Sequence, residues 1–186
     1  ADALAMMPDF AEQWAAKPVS KLSIVRSWPW SKGKVVLFGD ATHAIVPFYG
    51  QGMNAGFEDC TVLDDLLDAH GEDWANVLPQ YSRKQKPNGD AIAELALLNF
   101  IEMRDLVGQP EFLLQKKIEA WFNEKHPDKW IPLYSMVTYS PHIRYSEALR
   151  IGNKQEAIMQ SVMAMDNIEH IWNSEAVENK ILAALN

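Results

Sequence analysis

Cysteine is nearly absent: Cys60 is the only one in 186 residues. That excludes an internal disulfide framework and leads us to expect a reducing compartment. Positive charge is also scarce. Seventeen Lys and Arg against 25 Asp and Glu leave a net charge of -8, which argues against nucleic acid as the main partner, because phosphate contacts need clustered cations. The one basic cluster, Arg83, Lys84 and Lys86 beside Pro87, reads as a solvated turn. No apolar run reaches the roughly 18 residues of a membrane span. The opening residues, ADALAMMPDFAEQW, lack a basic n-region and are not expected to act as a secretory signal. There is no internal repeat and no low-complexity tract. His70, His126, His142 and His170 lack metal-ligand spacing and read as surface residues, so no metal is expected. What remains is an ordinary globular composition, 48% hydrophobic and 23% charged. It is enough for one sizeable core and too short to promise two.

Periodicity predicts a helix over 3–16, with Leu4, Met7, Phe10 and Trp14 at spacings of three and four, ended by Pro18. Alternation predicts a strand over 20–28, and the apolar run 35–38 a second strand covered on both faces. A helix over 53–67 follows, with Phe57, Cys60, Leu63 and Leu67 on its apolar side and Asp59 among its polar residues. The His70-Gly71 break leads to a short helix over 73–86. Asn88-Gly89-Asp90 reads as a turn and N-cap opening a helix over 91–106. Helical pattern resumes at 115–125, WIPLYSMVTYSP reads as irregular, and the tail from 146 is helical with breaks at Gly152 and Asn173-Ser174.

The run VVLFGDATHAIVPFYGQGMNAGFEDCTVLDDLL carries most of the chemistry. Asp40 sits at the end of a predicted strand, where ligands commonly meet open α/β folds. Its carboxylate can accept hydrogen bonds from polyol hydroxyls, or it can cap the amides of Thr42 and His43. The glycines of Gly50-Gln51-Gly52-Met53-Asn54-Ala55-Gly56 do not fit the dinucleotide fingerprint. They have one residue too many before the third Gly and lie far beyond the strand. Gly50 and Gly52 still permit close backbone approach. The helix that follows points unpaired amides and a positive dipole end at whatever lies against it, favouring an electron-rich group. The same run also fits an ordinary Gly-rich helix start. Farther on, Asn99 and Glu102 share one face of the apolar stretch AIAELALLNFIEMRD, with Met103 beside them. They read either as internally bonded or as the wall of a polar-substrate pocket.

GDATHAIVPFYGQGMNAGFEDCTVL resembles the second flavin-binding motif of the class A flavoprotein monooxygenases, the single-component aromatic hydroxylases. Its wording is most similar to members that hydroxylate L-kynurenine. The resemblance implies FAD as cofactor and NADPH as co-substrate. It also implies that Asp40 contacts the ribityl chain, that Gly50, Gln51 and Gly52 form the flavin loop, and that the amides of Met53 and Asn54 meet the pyrimidine edge of the ring. N-x-x-E-M-R and WIPLYSMVTYSP are similar to two further motifs of that family. By that likeness Asn99 and Tyr134 bind the amino-acid head of L-kynurenine, with Glu102 and Met103 alongside. Phe48 and Tyr49 match loop residues at the ring-facing end of the pocket. No residue is assigned as a catalytic acid or base, and His43 reads as structural.

The expected fold class is α+β, mostly α, as the C-terminal part of a class A flavoprotein monooxygenase. Residues 1–30 would end a substrate-domain segment, 31–69 would belong to the FAD domain, and 70–186 would form a helical region lining the pocket. The G-x-G-x-x-G that cradles the ADP part of FAD is not in the sequence, nor are the Arg and Tyr that complete the carboxylate site. The chain is therefore expected to work with an N-terminal FAD-binding portion of the same protein, and not to bind FAD alone. Eukaryotic members continue into an apolar membrane anchor. The tail IEHIWNSEAVENKILAALN is too polar for that, so a soluble, bacterial-type cytoplasmic enzyme is expected. Two rival readings remain: another aromatic hydroxylase or flavin-dependent halogenase, and a non-catalytic helical interaction module.

Overall fold

The computed structural model describes residues 2–185, and they are mostly helical. In chain order the elements are α1 (Asp2–Ala5), α2 (Phe10–Ala16), β1 (Ser31–Lys32), β2 (Val35–Val36), α3 (Asp40–His43), α4 (Gly52–His70) and α5 (Trp74–Ile101). A π-helical turn over Glu102–Leu106 follows. Then come α6 (Pro110–Lys125), α7 (Leu133–Tyr139), α8 (Tyr145–Met163), α9 (Ile168–Ile171) and α10 (Glu175–Leu185).

Helix α5 is the spine. Its 28 residues span about 42 Å at 1.5 Å per residue, and it packs chiefly against α4 and α8. Three cores form around this frame. One joins Tyr49, Ala55, Ile92, Leu95, Met136, Val137 and Tyr145. A second joins Trp30, Val62, Leu66, Val77 and Tyr81. The third is built by the last helices, from Ile118, Phe122, Trp130, Met159, Val162, Val177 and Ile181.

Several local expectations give way to packing. The turn at Asn88-Gly89-Asp90 does not form, and α5 runs through it and through both Pro79 and Pro87. Each proline removes one helix bond, but neighbours hold the helix straight through. A Cβ on Gly89 would lie 2.8 Å from the Trp30 ring and 2.9 Å from that of His43. Buried Asn88 donates to Glu58 at 2.8 Å and accepts from the Ser146 amide at 3.0 Å. The Asn-Gly pair therefore serves close packing. Gly152 behaves likewise inside α8, where a Cβ would meet Leu133 at 2.7 Å. WIPLYSMVTYSP is not irregular: α7 occupies its middle, started after Pro132.

The buried stripe of α4 is Ala55, Asp59, Val62 and Leu66. Phe57 is 63% exposed and Cys60 is exposed, while Leu63 and Leu67 pack at the edge of the core, so the buried stripe is turned from the predicted apolar side by roughly a third of a turn. Asp59 is the reason. It belongs to the inward stripe but was read as polar surface. Gly71 ends α4 at φ +63, a positive value that suits glycine, its amide bonding the Leu67 carbonyl at 2.7 Å.

The first 38 residues fit their prediction least. Pro8 interrupts the expected first helix, leaving α1 and α2. The predicted strand over 20–28 joins no sheet; its Val25 and Ser27 amides bond the Ala44 and Thr42 carbonyls, and Arg26 pairs with Glu94 at 2.9 Å. The second predicted strand is reduced to one side of a two-residue hairpin, Ser31 opposite Val36. Two strands without a packed face are not a stable sheet. Val35 is 64% exposed instead of covered on both faces.

Candidate functional site

The Gly-Asp turn begins at Gly39, whose φ of +53 and ψ of -133 form a conformation that is essentially glycine-only. Its carbonyl accepts from the Thr42 and His43 amides at 2.8 and 3.0 Å and from the Thr42 hydroxyl at 2.7 Å. Asp40 is the first residue of α3, exposed and making no capping bond. The capping alternative for Asp40 is thereby removed, because Gly39 occupies the cap position.

The loop over 47–51 returns the chain to the start of α4. Gly50 has φ +68, and α4 starts without a side-chain cap, so its first amides are left for another acceptor. Met53 is 71% exposed beside them. Gln51 is buried: its side-chain Oε1 accepts from the Asn54 side-chain Nδ2 at 2.8 Å and from the Tyr145 hydroxyl at 3.0 Å. Burial, with the nearby charge of Glu58, pushes that hydroxyl up to about 12, so Tyr145 remains a donor. A cavity of about 430 Å³ opens beside these residues, between α4 and the α7–α8 junction, with Glu58, Thr138 and Arg144 among its lining residues.

The second predicted group also comes together. Asn99 donates to the Phe48 carbonyl at 2.8 Å and lies 3.8 Å from the Met103 sulfur. Tyr49 stacks on Tyr134 with centroids 5.4 Å apart, and Phe48 packs on Phe100 at 4.6 Å. Tyr49 is buried, and burial plus the nearby Glu102 charge raise its hydroxyl well above the ordinary range. Tyr134 and Met103 remain about half exposed, at 48% and 53%. Glu102 does not pair with Arg104, which binds Asp105 instead. Its partner is Lys116 on α6, at 3.1 Å. Burial disfavours the Lys116 ammonium, but Glu119 and Glu102 together outweigh it and raise Lys116. Glu102 and Met103 lie on the π turn, a distortion often found at functional sites.

A third group was missed by sequence reasoning. His43 Nε2 lies 2.7 Å from Asp59 Oδ2, with both side chains almost fully buried. The same oxygen accepts from the Gly39 amide at 3.0 Å, and Oδ1 accepts from Gln85 at 3.1 Å. Gln85 in turn accepts from Arg144. Burial opposes charge on His43, but the bond to Asp59 and its charge prevail, so the imidazole is raised above its ordinary value. The signal was present in the spacing, since Asp59 continues the inward series Ala55, Val62, Leu66.

Comparison with known proteins gives this geometry a relationship. Residues 14–96 match the model of a family described as FAD binding domain. The chain is 52% identical, over 99% of its length, to a kynurenine 3-monooxygenase of Flavobacterium johnsoniae. It is 50% identical over its whole length to the protein of that name from Flavobacterium psychrophilum. By sequence the chain is similar to one part of these kynurenine 3-monooxygenases. The relationship reaches Anopheles gambiae, at 45% identity over 76% of this chain. The chain spans 41% of the length of the two Flavobacterium kynurenine 3-monooxygenases. Among the described residues no helix is long and apolar enough to cross a membrane, and no cluster of potential metal ligands occurs.

Proposed function

We propose that this chain is part of an FAD-dependent monooxygenase that hydroxylates L-kynurenine to 3-hydroxykynurenine with NADPH and O2. It would be the part that faces the flavin ring and the substrate head. The observation that carries this reading is the convergence of Phe48 and Tyr49, from the loop before α4, with Asn99, Glu102 and Tyr134 from distant parts of the sequence. A non-catalytic helical module has no need for that convergence beside an uncapped helix start.

The residues present fit a flavin. The uncapped first amides of α4, with Met53 and Asn54 beside them, suit the electron-rich pyrimidine edge. Gly50 and Gly52 allow the backbone close to a flat ring, and exposed Asp40 is free to accept from the ribityl hydroxyls. When bound, FAD supplies the hydride acceptance and oxygen activation. The chain's own residues then bind and orient. Asn99, held by the Phe48 carbonyl, keeps its side-chain oxygen for an ammonium group. Tyr134, braced by Tyr49, offers a hydroxyl to the carboxylate. Tyr49 stays a neutral phenol at the ring end of the pocket.

The same reading gives a role to the exposed apolar strip. Val19 at 95%, Leu22 at 62%, Trp28 at 58% and Val35 at 64% exposure are apolar side chains against which the N-terminal FAD-binding portion of the protein would pack, completing both fold and site. Kinetics of the intact protein test the assignment. Asn99→Ala should lower kcat/KM for kynurenine-stimulated NADPH oxidation by about tenfold or more, and Tyr134→Phe by about fivefold, with flavin content unchanged. Kinetics equal to wild type in both variants would remove the substrate assignment.

A further inference from the structure

The Gly39 backbone sits in a conformation that costs energy for any other residue, although a Cβ there would meet nothing within 4 Å. Within the turn its carbonyl is held by Thr42 and His43, and its amide is left to tie the turn to the rest of the fold. Among the described residues, the side chain bonded to the Gly39 amide is that of Asp59, twenty residues later in sequence, at 3.0 Å. Asp59 lies two helical turns beyond the start of α4, so one carboxylate ties the Gly-Asp turn to the helix whose N-terminus forms the other half of the candidate flavin face.

We propose that Asp59 is the positioning residue of this site, fixing the Gly39–Asp40 turn against α4, with His43 and Gln85 as the struts that hold its carboxylate. The flavin part of this inference rests on the function proposed above; the turn part rests on the chain's own geometry. Three donors converge on the carboxylate: the Gly39 amide and His43 on Oδ2, and Gln85 on Oδ1. An isosteric amide cannot satisfy them. If its oxygen faces Gly39 and His43, its NH2 faces the NH2 of Gln85. Gln85 is not free to flip, because its oxygen takes the Arg144 guanidinium. Asp59→Asn should therefore loosen the turn while preserving side-chain volume. His43→Gln keeps an N–H donor for Oδ2 and should largely preserve it.

The test compares variants of the intact protein by amide hydrogen exchange over residues 37–43 and by FAD dissociation constant. Asp59→Asn should speed exchange of the Gly39 region about tenfold and weaken FAD about tenfold, with exchange in α6 unchanged. His43→Gln should stay near wild type in both readouts. Phe122→Leu, in the distant third core, should lower overall stability without moving either. The proposal is overturned if Asp59→Asn leaves Gly39 exchange at the wild-type rate, or if Phe122→Leu moves both readouts as much. Should Asp59→Asn not fold, Gln85→Met removes one strut without stranding a charge. It should give a smaller change of the same sign, and no change would overturn the proposal. A wild-type protein that takes no FAD would instead refute the proposed function, while the exchange result would still decide the role of Asp59.

Discussion

The two ends of this chain carry comparable apolar patterns and treat them oppositely. Helix α2 buries no residue, and Trp14 and Leu22 are 71% and 62% exposed. From Pro110 onward, Ile118, Phe122, Met159, Val177 and Ile181 are each fully buried. The difference lies in partners, not in hydrophobicity. Helices α6, α8 and α10 find one another within the chain. On the function proposed here, the exposed apolar residues of 10–37, such as Trp14, Leu22 and Val35, face a portion of the protein outside these 186 residues. An amphipathic pattern specifies which face wants burial, and it forms a stable element only where the matching face is supplied.

That contrast is open to measurement, and the largest effect belongs to the C-terminal core. Phe122→Ala should destabilise the protein by about 3–5 kcal/mol in chemical denaturation; a loss near zero would show that the third core is not a stability centre. Breaking the buried pair comes next. His43→Leu leaves Asp59 uncompensated and should cost about 3 kcal/mol or more, with the loss seen at the Gly-Asp turn and not in α6 by hydrogen exchange. Gly152→Ala should cost about 1–3 kcal/mol, because the new Cβ has to displace Leu133.

A pH dependence follows from His43. Its folded-state value is raised by Asp59, with Asp40 adding to the effect and burial opposing it. The stabilisation it contributes is therefore complete below about pH 6.5 and fades as pH rises through the raised value. Urea titrations should show this alkaline decline in the wild type and its absence in His43→Gln. The smallest effect is the most diagnostic for the comparison. Leu22→Ser should change the stability of the 186-residue chain by less than about 0.5 kcal/mol. In the intact protein the same change should cost about 1.5–3 kcal/mol. Equal small effects in both would mean that the exposed strip is simply surface.

How far the sequence reveals this molecule follows the same line. Helices α4, α6 and α8 were legible from apolar spacing, because their partners lie in the chain. Of the two expected strands, the one over 20–28 did not form and the one over 35–38 shrank to Val35–Val36, since a strand is completed by neighbours that alternation alone does not provide. Asn88-Gly89 was misread because its residue types favour turns. Their actual reason, contact with Trp30 and a bond to Glu58, is tertiary. The candidate site was legible as three separate motifs, and of their residues Phe48 meets Asn99 and Tyr49 meets Tyr134. What sequence reading missed was the hidden support: an aspartate at an inward helical position, classed as surface because it is charged. Glu102 was likewise located, but its partner Lys116, arriving after the π turn, was not foreseeable from the helix alone.

The central claim is that these residues form the flavin-ring and substrate face of a site whose remainder lies elsewhere in the protein. Visible flavin absorbance after purification and dialysis tests it most directly. The intact protein should be yellow with FAD near one per chain, and the 186-residue chain should be colourless and remain so when FAD is added. A 186-residue preparation that retains FAD, or an intact protein that retains none, would contradict the account.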